Sequence, residues 1–403
     1  MELSYNITKK RMKLALFSLI LCIFIPSYNY YINEIIQLNL GMGSVSAFFY
    51  IILAVIGLYS YSLLTQINPM IIIIMLVVCS GLFISYLLYP GIKDLFLSKD
   101  FNPLTSAFLF LPLMGFPMMV YTNYLSDRLS LINDYIRIPS LGLVILACID
   151  YYWTVLINGQ FFEVNYMSFS YFMLPGVCFS FSYGLIKGKI IDVIFAVLGL
   201  LVIFVTGSRG CFLCGFVFII LVCFKRYSVS IAKLFLLIII SISLVSLGSI
   251  IFPSVSDDVM SYMKEHDANS RTLSKISDGT LGESYGRNNV YKLMKQSIEE
   301  QPLGYGLMGD RYILYKHGNP GYAHSLYYEF LIDYGVVFGA LLLLFVIISV
   351  ILHLKRHFKH DIYYVYVLFL ITGVLKLFMS GSYLEEPFFW GTLGILINSK
   401  RTR

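Results

Sequence analysis

The chain has 403 residues, of which 58% are hydrophobic and only 13% are charged. Soluble domains carry about a quarter charged residues, so a mean hydropathy of +0.78 excludes an ordinary globular enzyme. We predict an all-α, polytopic integral membrane protein. The net charge of +6 is modest, so the placement of the basic residues is more informative than their sum.

Apolar stretches long enough to cross a bilayer, about 20 residues, recur along the whole chain. We predict about 12 transmembrane helices, near residues 14–32, 45–64, 70–89, 104–124, 140–158, 166–186, 190–207, 210–224, 231–252, 325–352, 361–380 and 387–398. The basic segment 1–13 precedes an apolar run without a clear cleavage site. We therefore expect a first membrane helix there and not a cleaved signal peptide.

The short segments between these spans form two alternating sets that differ in charge. One set holds most of the basic residues, namely Lys9, Lys10, Arg11, Lys13, Arg128, Arg137, Lys187, Lys189, Lys225, Arg226, Lys233, Lys355, Arg356, Lys359, Lys400, Arg401 and Arg403. The other set holds Lys93, Lys99 and Arg209. Because basic short loops stay in the cytoplasm, we expect both termini to be cytoplasmic.

This orientation divides the chain into three parts. Residues 1–252 hold transmembrane helices 1–9, residues 253–324 form one large loop outside the cytoplasm, and residues 325–403 hold helices 10–12 and the cytoplasmic C-terminus. We expect short helices in the loop. One is predicted over 288–300, where apolar residues recur at helical spacing, and Pro302, Gly304 and Gly306 end it.

Two arginines of this outer face are candidate anion ligands. Arg209 lies in the turn Thr206-Gly207-Ser208-Arg209-Gly210, and its planar fork fits phosphate oxygens. The alternative is an interfacial arginine that reaches lipid headgroups. Arg287 lies beside a predicted helix N-terminus, which suits an anion, although an ordinary solvated helix start has the same sequence pattern.

The segment from Gly321 to Leu331 holds a third candidate. His324 lies where the loop returns to the membrane, and it is a plausible general base because neighbouring arginines would lower its pKa and keep it neutral. Glu329 and Asp333 share one face of the next helix, with Lys376 as a candidate partner. A helix-packing ion network is the alternative for these three residues.

These motifs, in this order, resemble the bacterial O-antigen ligase and polymerase superfamily. The resemblance is carried by Ser208-Arg209-Gly210, by the Arg287 helix leading to Pro302-Leu303-Gly304-Tyr305-Gly306, and by the His324 segment that ends in Leu331, Gly335 and Gly339. It is strongest over 190–340. Ser325 departs from the pattern, since the family often has Asn after the histidine.

The resemblance implies a glycosyltransferase of the bacterial inner membrane. Members of the family join glycans at its periplasmic face from undecaprenyl-diphosphate-linked donors. His324, Arg209 and Arg287 would be catalytic, and Arg209, Arg287, Arg311, Tyr322 and Glu329 would bind substrate. No Asp-rich metal motif is present in the sequence, so we expect inverting transfer without a metal or another cofactor.

Within the family, the high content of Tyr and Phe, 32 each, favours an O-antigen polymerase over a ligase that transfers glycan to lipid A-core. The expected partners are the undecaprenyl-diphosphate-linked oligosaccharide, membrane lipids and a chain-length regulator protein, with no nucleic acid. A polysaccharide flippase is the alternative from another class, although transporters often show internal repeats and midplane charges. A third alternative is a structural or assembly membrane protein, in which Arg209, Arg287 and His324 would lie far apart.

Overall fold

The computed structural model describes residues 2–36, 46–88, 110–153, 166–206, 208–227, 287–318 and 321–397. These ranges are helical and contain no β-strand, which confirms the all-α prediction. Within them, six helices are long and apolar enough to cross a membrane, or seven if the two helices that meet at Ile136 count as one bent span.

The helices before the large loop number nine among the described residues. They are α1 Glu2–Glu34, α2 Ser46–Tyr61, α3 Pro69–Leu88, α4 Phe116–Tyr124, α5 Ile132–Tyr135, α6 Arg137–Tyr151, α7 Tyr166–Lys187, α8 Ile190–Val205 and α9 Arg209–Tyr227. Helix α4 continues a π-helical turn at Leu111–Gly115. The apolar helices α2 and α8 are shorter than a full span.

Six further helices follow. They are α10 Arg287–Glu300, α11 Gly309–Lys316, α12 Leu326–His357, α13 Ile362–Leu370, α14 Lys376–Met379 and α15 Pro387–Ile397. A π-helical turn at Ile371–Leu375 joins α13 to α14, so that Ile362–Met379 forms one candidate span. Helix α10 confirms the helix predicted over 288–300.

Most of the predicted spans coincide with these helices. The span near 104–124 begins outside the described residues, which resume at residue 110. The span near 231–252, and the loop residues up to 286, lie outside them entirely. The predicted span 325–352 is longer, ending at His357, and it is interrupted at Gly335.

The interruption of α12 is stabilised by the loop that follows α10. Gly335 has φ 77° and ψ 168°, so the helical bond from the Val336 N–H to the Ile332 carbonyl is open. The Val336 N–H donates instead to the Pro302 carbonyl at 2.9 Å, and the Ile332 carbonyl accepts from the Tyr305 N–H at 2.7 Å. Both freed backbone groups thus have partners, as apolar surroundings require.

The chain divides into two compact units. The first comprises residues 1–22, 52–130 and 284–403. Within it, α15 packs on α4 through its backbone: Thr122 Oγ1 donates to the Gly391 carbonyl at 2.9 Å, and the Asn123 amide donates to the Gly394 carbonyl at 3.0 Å. Helices α10 and α11 pack on the start of α12.

The second unit comprises residues 23–51 and 131–283. Its α7 contacts α6, α8 and α9. A Cβ at Gly199 would lie 2.7 Å from the Val177 side chain, so the glycine allows α7 and α8 to approach closely. The buried Asp192 carboxylate is held by Arg137 at 3.0 Å.

Candidate active site

His324 lies just before α12, in a backbone conformation that most side chains avoid. Its φ of 55° is in the left-handed region, which costs a non-glycine residue about 1–2 kcal/mol. The imidazole is half-buried, and its ring centroid is 4.3 Å from that of Tyr322. Its Nδ1 atom is buried with no hydrogen-bond partner among the described residues, so this nitrogen is suited to meet a donor that arrives from outside.

Burial, together with the positive charge of Arg287, lowers the pKa of His324 from 6.5 to about 4. Both effects disfavour the imidazolium form. The imidazole is therefore neutral at neutral pH, the form that accepts a proton. The sequence predicted the direction of this shift from the arginines alone, whereas burial is the larger cause.

Arg287 is the first residue of α10, and this helix places it beside His324. The buried face of α10, with Val290 and Met294, packs against Ile313, Leu314 and Ala323. The Arg287 Nη1 atom donates to the Met379 carbonyl at 2.8 Å, at the end of α14. Arg287 thus joins the loop helix to the end of a membrane span.

Tyr322 lies between His324 and the charged side chains around Arg311. Its hydroxyl lies beside the Ser380 side chain and within electrostatic range of Glu385, Lys376 and Arg311. Burial raises the pKa of Tyr322, so the phenol stays protonated at neutral pH. It can therefore donate a hydrogen bond as well as stack on the imidazole.

Arg311 lies on α11 and is only 1% exposed. Its Nη2 atom donates to Glu385 at 2.9 Å and to Ser382 at 2.8 Å. Its Nη1 atom is 3.4 Å from both Asp310 and Glu329. Burial opposes its charge, but Glu385, Asp310 and Glu329 outweigh this effect and raise the pKa of Arg311. The guanidinium is thus permanently charged, and both of its Nη atoms have partners in the same chain, whereas its buried Nε has none among the described residues.

This Arg311 network reaches the backbone next to His324. The other carboxylate oxygen of Asp310 accepts from the Ala323 N–H at 2.8 Å. On the other side of the histidine, the Ser325 carbonyl accepts from the Glu329 N–H at 3.0 Å. His324 is therefore held in its left-handed conformation from both flanks.

Glu329 and Asp333 share one face of α12, as predicted, and both bind the segment after α14. Glu329 accepts from the Ser382 hydroxyl and from the Tyr383 N–H at 3.2 Å, and Asp333 accepts from the Tyr383 hydroxyl at 2.9 Å. The expected partner was wrong: among the described residues, Arg311 is the base beside Glu329, whereas Lys376 pairs with Glu386. The ion-network alternative fits these contacts.

Residues 380–386 contribute most of the groups that the sequence did not single out. Ser382, Tyr383 and Glu385 bind the Arg311 network, and Glu386 binds Lys376. A signal was present: two consecutive glutamates stand between two apolar spans, where carboxylates need partners. Only the folded chain shows which base each of them meets.

Arg209 is the first residue of α9 and belongs to the second unit. Its side chain is exposed, whereas Thr206 and Ser208 before it are buried. The other candidates belong to the first unit. There the structure brings Arg287, Tyr322 and His324 together, and it joins Arg311 to Glu329 in the adjoining network.

Within the described ranges, no group of three or more His, Cys, Asp or Glu side chains is arranged to hold a metal ion. The polar groups that the structure places beside His324 are the Tyr322 phenol and the Arg287 guanidinium, and both can donate hydrogen bonds. Such a set suits an anionic or hydroxyl-bearing ligand.

Comparison with known proteins identifies the segment that carries these residues. Residues 194–344 match the family model of the O-antigen ligases. The match confirms the relationship to the O-antigen ligase and polymerase superfamily. No curated protein and no solved structure shows significant similarity to the chain.

The matched segment contains six candidate residues: Arg209, Arg287, Arg311, Tyr322, His324 and Glu329. It ends within α12, so the segment 380–386 and Lys376 lie outside the match. Members of this family are glycosyltransferase-like enzymes of O-antigen and glycan assembly.

Proposed function

We propose that the protein is an O-antigen polymerase of the bacterial inner membrane. It would extend a glycan on undecaprenyl diphosphate by one oligosaccharide repeat unit per cycle, at the periplasmic face. The observation that carries this proposal is a neutral, half-buried imidazole between Arg287 and Tyr322, at the start of a membrane helix, inside an O-antigen ligase segment.

The proposed step is a single displacement at the anomeric carbon of the donor glycan. A sugar hydroxyl of the incoming lipid-linked repeat unit attacks this carbon, and its proton passes to His324. The bond from the anomeric carbon to the diphosphate oxygen breaks, and undecaprenyl diphosphate leaves with that electron pair. One displacement inverts the anomeric configuration, and the released diphosphate gains one negative charge, as the imidazole gains one positive charge.

Arg209 and Arg287 are proposed to bind phosphate oxygens of the donor. One N–H of Arg287 bonds the Met379 carbonyl, and the guanidinium fork has further donors for a phosphate. Arg209, exposed at the start of α9, has the same planar set of N–H donors. Charge that develops on the leaving diphosphate is then stabilised where it forms.

Arg311 and Glu329 are buried in their own network, so we propose that they support the substrate site indirectly. Both bind Ser382, and Arg311 also pairs with Asp310, which accepts from the Ala323 N–H. Tyr322 is proposed to contact the sugar, since its phenol is half-buried beside His324.

We also propose that both termini are cytoplasmic, that residues 253–324 are periplasmic, and that a chain-length regulator protein binds the enzyme.

The family description favours a second candidate, an O-antigen ligase. Purified protein incubated with undecaprenyl-diphosphate-linked repeat units separates the two functions. A ladder of multiple repeat units on the lipid carrier supports polymerase. Product that forms only after lipid A-core is added supports ligase, and no product with either acceptor overturns both.

The surface glycan of a deletion strain gives an independent test. Single repeat units on lipid A-core are expected after loss of a polymerase, whereas long glycan that stays on the lipid carrier indicates a lost ligase. Loss of a flippase would instead leave lipid-linked repeat units at the cytoplasmic face, and that result would contradict the proposed enzyme.

A further inference from the structure

Lys376 is a charged residue at the end of a candidate membrane span, and the proposed chemistry does not use it. Its ammonium pairs with the Glu386 carboxylate, and the two side chains are 19% and 6% exposed. Ionisable groups in membrane spans are costly and usually serve a function. The Arg311 guanidinium, by contrast, has no exposed surface, so Lys376 is the more accessible of these two cations.

Lys376 belongs to the same turn that receives Arg287. The Lys376 carbonyl accepts from the Ser380 N–H at 2.7 Å, and the Met379 carbonyl between them accepts from Arg287. Ser380 lies beside the Tyr322 hydroxyl, which is also within electrostatic range of Lys376. The turn from Lys376 to Ser380 therefore carries Lys376, accepts a hydrogen bond from Arg287 and lies beside Tyr322, which stacks on His324.

Glu386 has support that does not depend on Lys376. Its other carboxylate oxygen accepts from the Phe388 N–H at 3.3 Å, in the first turn of α15. A helix N-terminus favours a carboxylate even when no cation is near. The ammonium can thus leave Glu386 for another anion, because the carboxylate keeps its hydrogen bond from the Phe388 N–H.

We propose that Lys376 binds the diphosphate of the lipid-linked donor from the membrane side, and that Glu386 holds the ammonium until the donor arrives. This inference rests on the proposed function for the identity of the ligand. Arg287 then approaches the diphosphate from the loop and Lys376 from the membrane span. Two cations on different elements allow the site to distinguish a diphosphate from a monophosphate.

The test compares Lys376→Met, Lys376→Arg, Glu386→Gln and the double variant Lys376→Met/Glu386→Gln. The purified full chain in detergent micelles is titrated with undecaprenyl diphosphate and with undecaprenyl phosphate. We expect Lys376→Met and the double variant to bind the diphosphate about tenfold more weakly or worse, the scale of a lost charged hydrogen bond. Lys376→Arg should keep much of the affinity, and Glu386→Gln should bind at least as tightly as wild type.

A purely structural ion pair gives the opposite pattern. Glu386→Gln would then be as damaging as Lys376→Met, and the double variant would recover, because no unpaired charge remains. That result overturns the inference. Lys187→Met/Asp134→Asn removes another ion pair, in the second unit, and serves as the control that should leave diphosphate binding unaltered.

Two further arms separate this inference from its rivals. In the first, excess phosphatidylglycerol competes with undecaprenyl diphosphate. If it displaces the diphosphate from the wild type but not from Lys376→Met, Lys376 binds lipid headgroups in general, and the inference is overturned. A wild-type protein that binds the diphosphate through Lys376 but makes no polymer supports the inference and contradicts the polymerase. Normal diphosphate affinity and polymerisation by Lys376→Met leave the polymerase standing and overturn the role of Lys376.

Discussion

His324 combines three local properties that seldom occur together. Its backbone is left-handed, its Nδ1 atom is buried without a hydrogen-bond partner in the described chain, and its ring lies against Tyr322. Strained residues persist where their surroundings fix them, and they cluster at functional sites. Here Asp310 fixes Ala323 on one side, and Ser325 is bound by the Glu329 N–H on the other.

The first prediction concerns the basicity of this imidazole. We expect His324→Ala to reduce polymerisation by about a hundredfold to ten-thousandfold, the usual effect of losing a general base. His324→Gln keeps hydrogen bonding without basicity, so we expect it to be similarly inactive. The measurement is turnover of lipid-linked repeat units by purified variants of wild-type stability. His317→Gln, an exposed histidine of α11's C-terminal end, is the control and should remain active.

Near-normal turnover by His324→Gln across neutral pH would contradict the general-base role. The histidine would then be a positioning residue, held by its backbone and by Tyr322.

The second prediction concerns pH. Because the pKa of His324 is lowered to about 4, we expect kcat/KM to stay level from neutral pH down to about pH 5 and to fall near pH 4. An unfolded chain binds this proton near pH 6.5, so the group also makes stability decline as pH falls from 6.5 toward 4. A decline in kcat/KM centred near pH 6.5 in the wild type would refute the neutral, buried imidazole.

The third prediction concerns the two arginines. We expect Arg287→Ala and Arg209→Ala each to lower turnover by about 100-fold or more, as for other losses of transition-state charge stabilisation. Lysine keeps the positive charge but not the planar fork of donors. Arg→Lys should therefore keep part of the activity only at a position where charge alone stabilises the diphosphate. Lys292→Ala, an exposed base on α10, is the matched control. Full glycan ladders from both Ala variants at wild-type protein levels would remove the arginines from the site.

At the scale of elements, the interrupted helix α12 and the loop after α10 form one structure. A Cβ at Gly335 would lie 2.6 Å from the Leu303 carbonyl oxygen, and a Cβ at Gly304 would lie 2.5 Å from the Gly335 nitrogen. Both glycines also have positive φ, 77° and 90°. The contact between the two backbones therefore needs glycine on each side.

The fourth prediction follows from that contact. We expect Gly335→Ala and Gly304→Ala to destabilise the protein by more than about 2 kcal/mol, because steric overlap adds to the strain of a positive φ. Gly318 has φ 69° with nothing within 4 Å of its Cβ position, so Gly318→Ala should show the strain alone, about 1 kcal/mol. Thermal unfolding in detergent measures all three. Equal losses at the three positions would show that the contact contributes nothing.

The sequence predicted the parts of this region that depend on local pattern. Helix α10 followed from apolar spacing, and its end followed from Pro302 and the glycines after it. His324 followed from its place between a polar loop and an apolar span. The interruption at Gly335 and the bases that meet Glu329 and Glu386 did not follow, since they depend on contacts between distant segments.

At the scale of the whole molecule, the distribution of charge predicts which face of the membrane each loop occupies. The described part of the chain contains six or seven helices that could cross, and the predicted total of about twelve stays a prediction. From the basic short loops we predict that α10 lies outside the cytoplasm and that the turn after α7 lies inside.

The fifth prediction tests this placement. Single cysteines at Lys292 on α10 and at Lys187 at the end of α7, in a background without the seven native cysteines, are treated with a membrane-impermeant thiol reagent on spheroplasts. We expect labelling at 292 in intact spheroplasts and at 187 only after lysis. The reverse pattern would invert the topology and place His324 on the wrong side for a periplasmic acceptor.

The interrupted helix α12 also constrains the order in which the protein is built. Residues 326–357 can enter the bilayer as one straight helix, with the Val336 N–H bonded to the Ile332 carbonyl in the ordinary way. That bond can open only when Pro302 and Tyr305 are present to take both groups. The bent form is therefore expected to arise only after α10 and the residues that follow it have taken their place beside α12. On this account, the segment that holds His324, the proposed general base, takes its final form late in biogenesis, after membrane insertion.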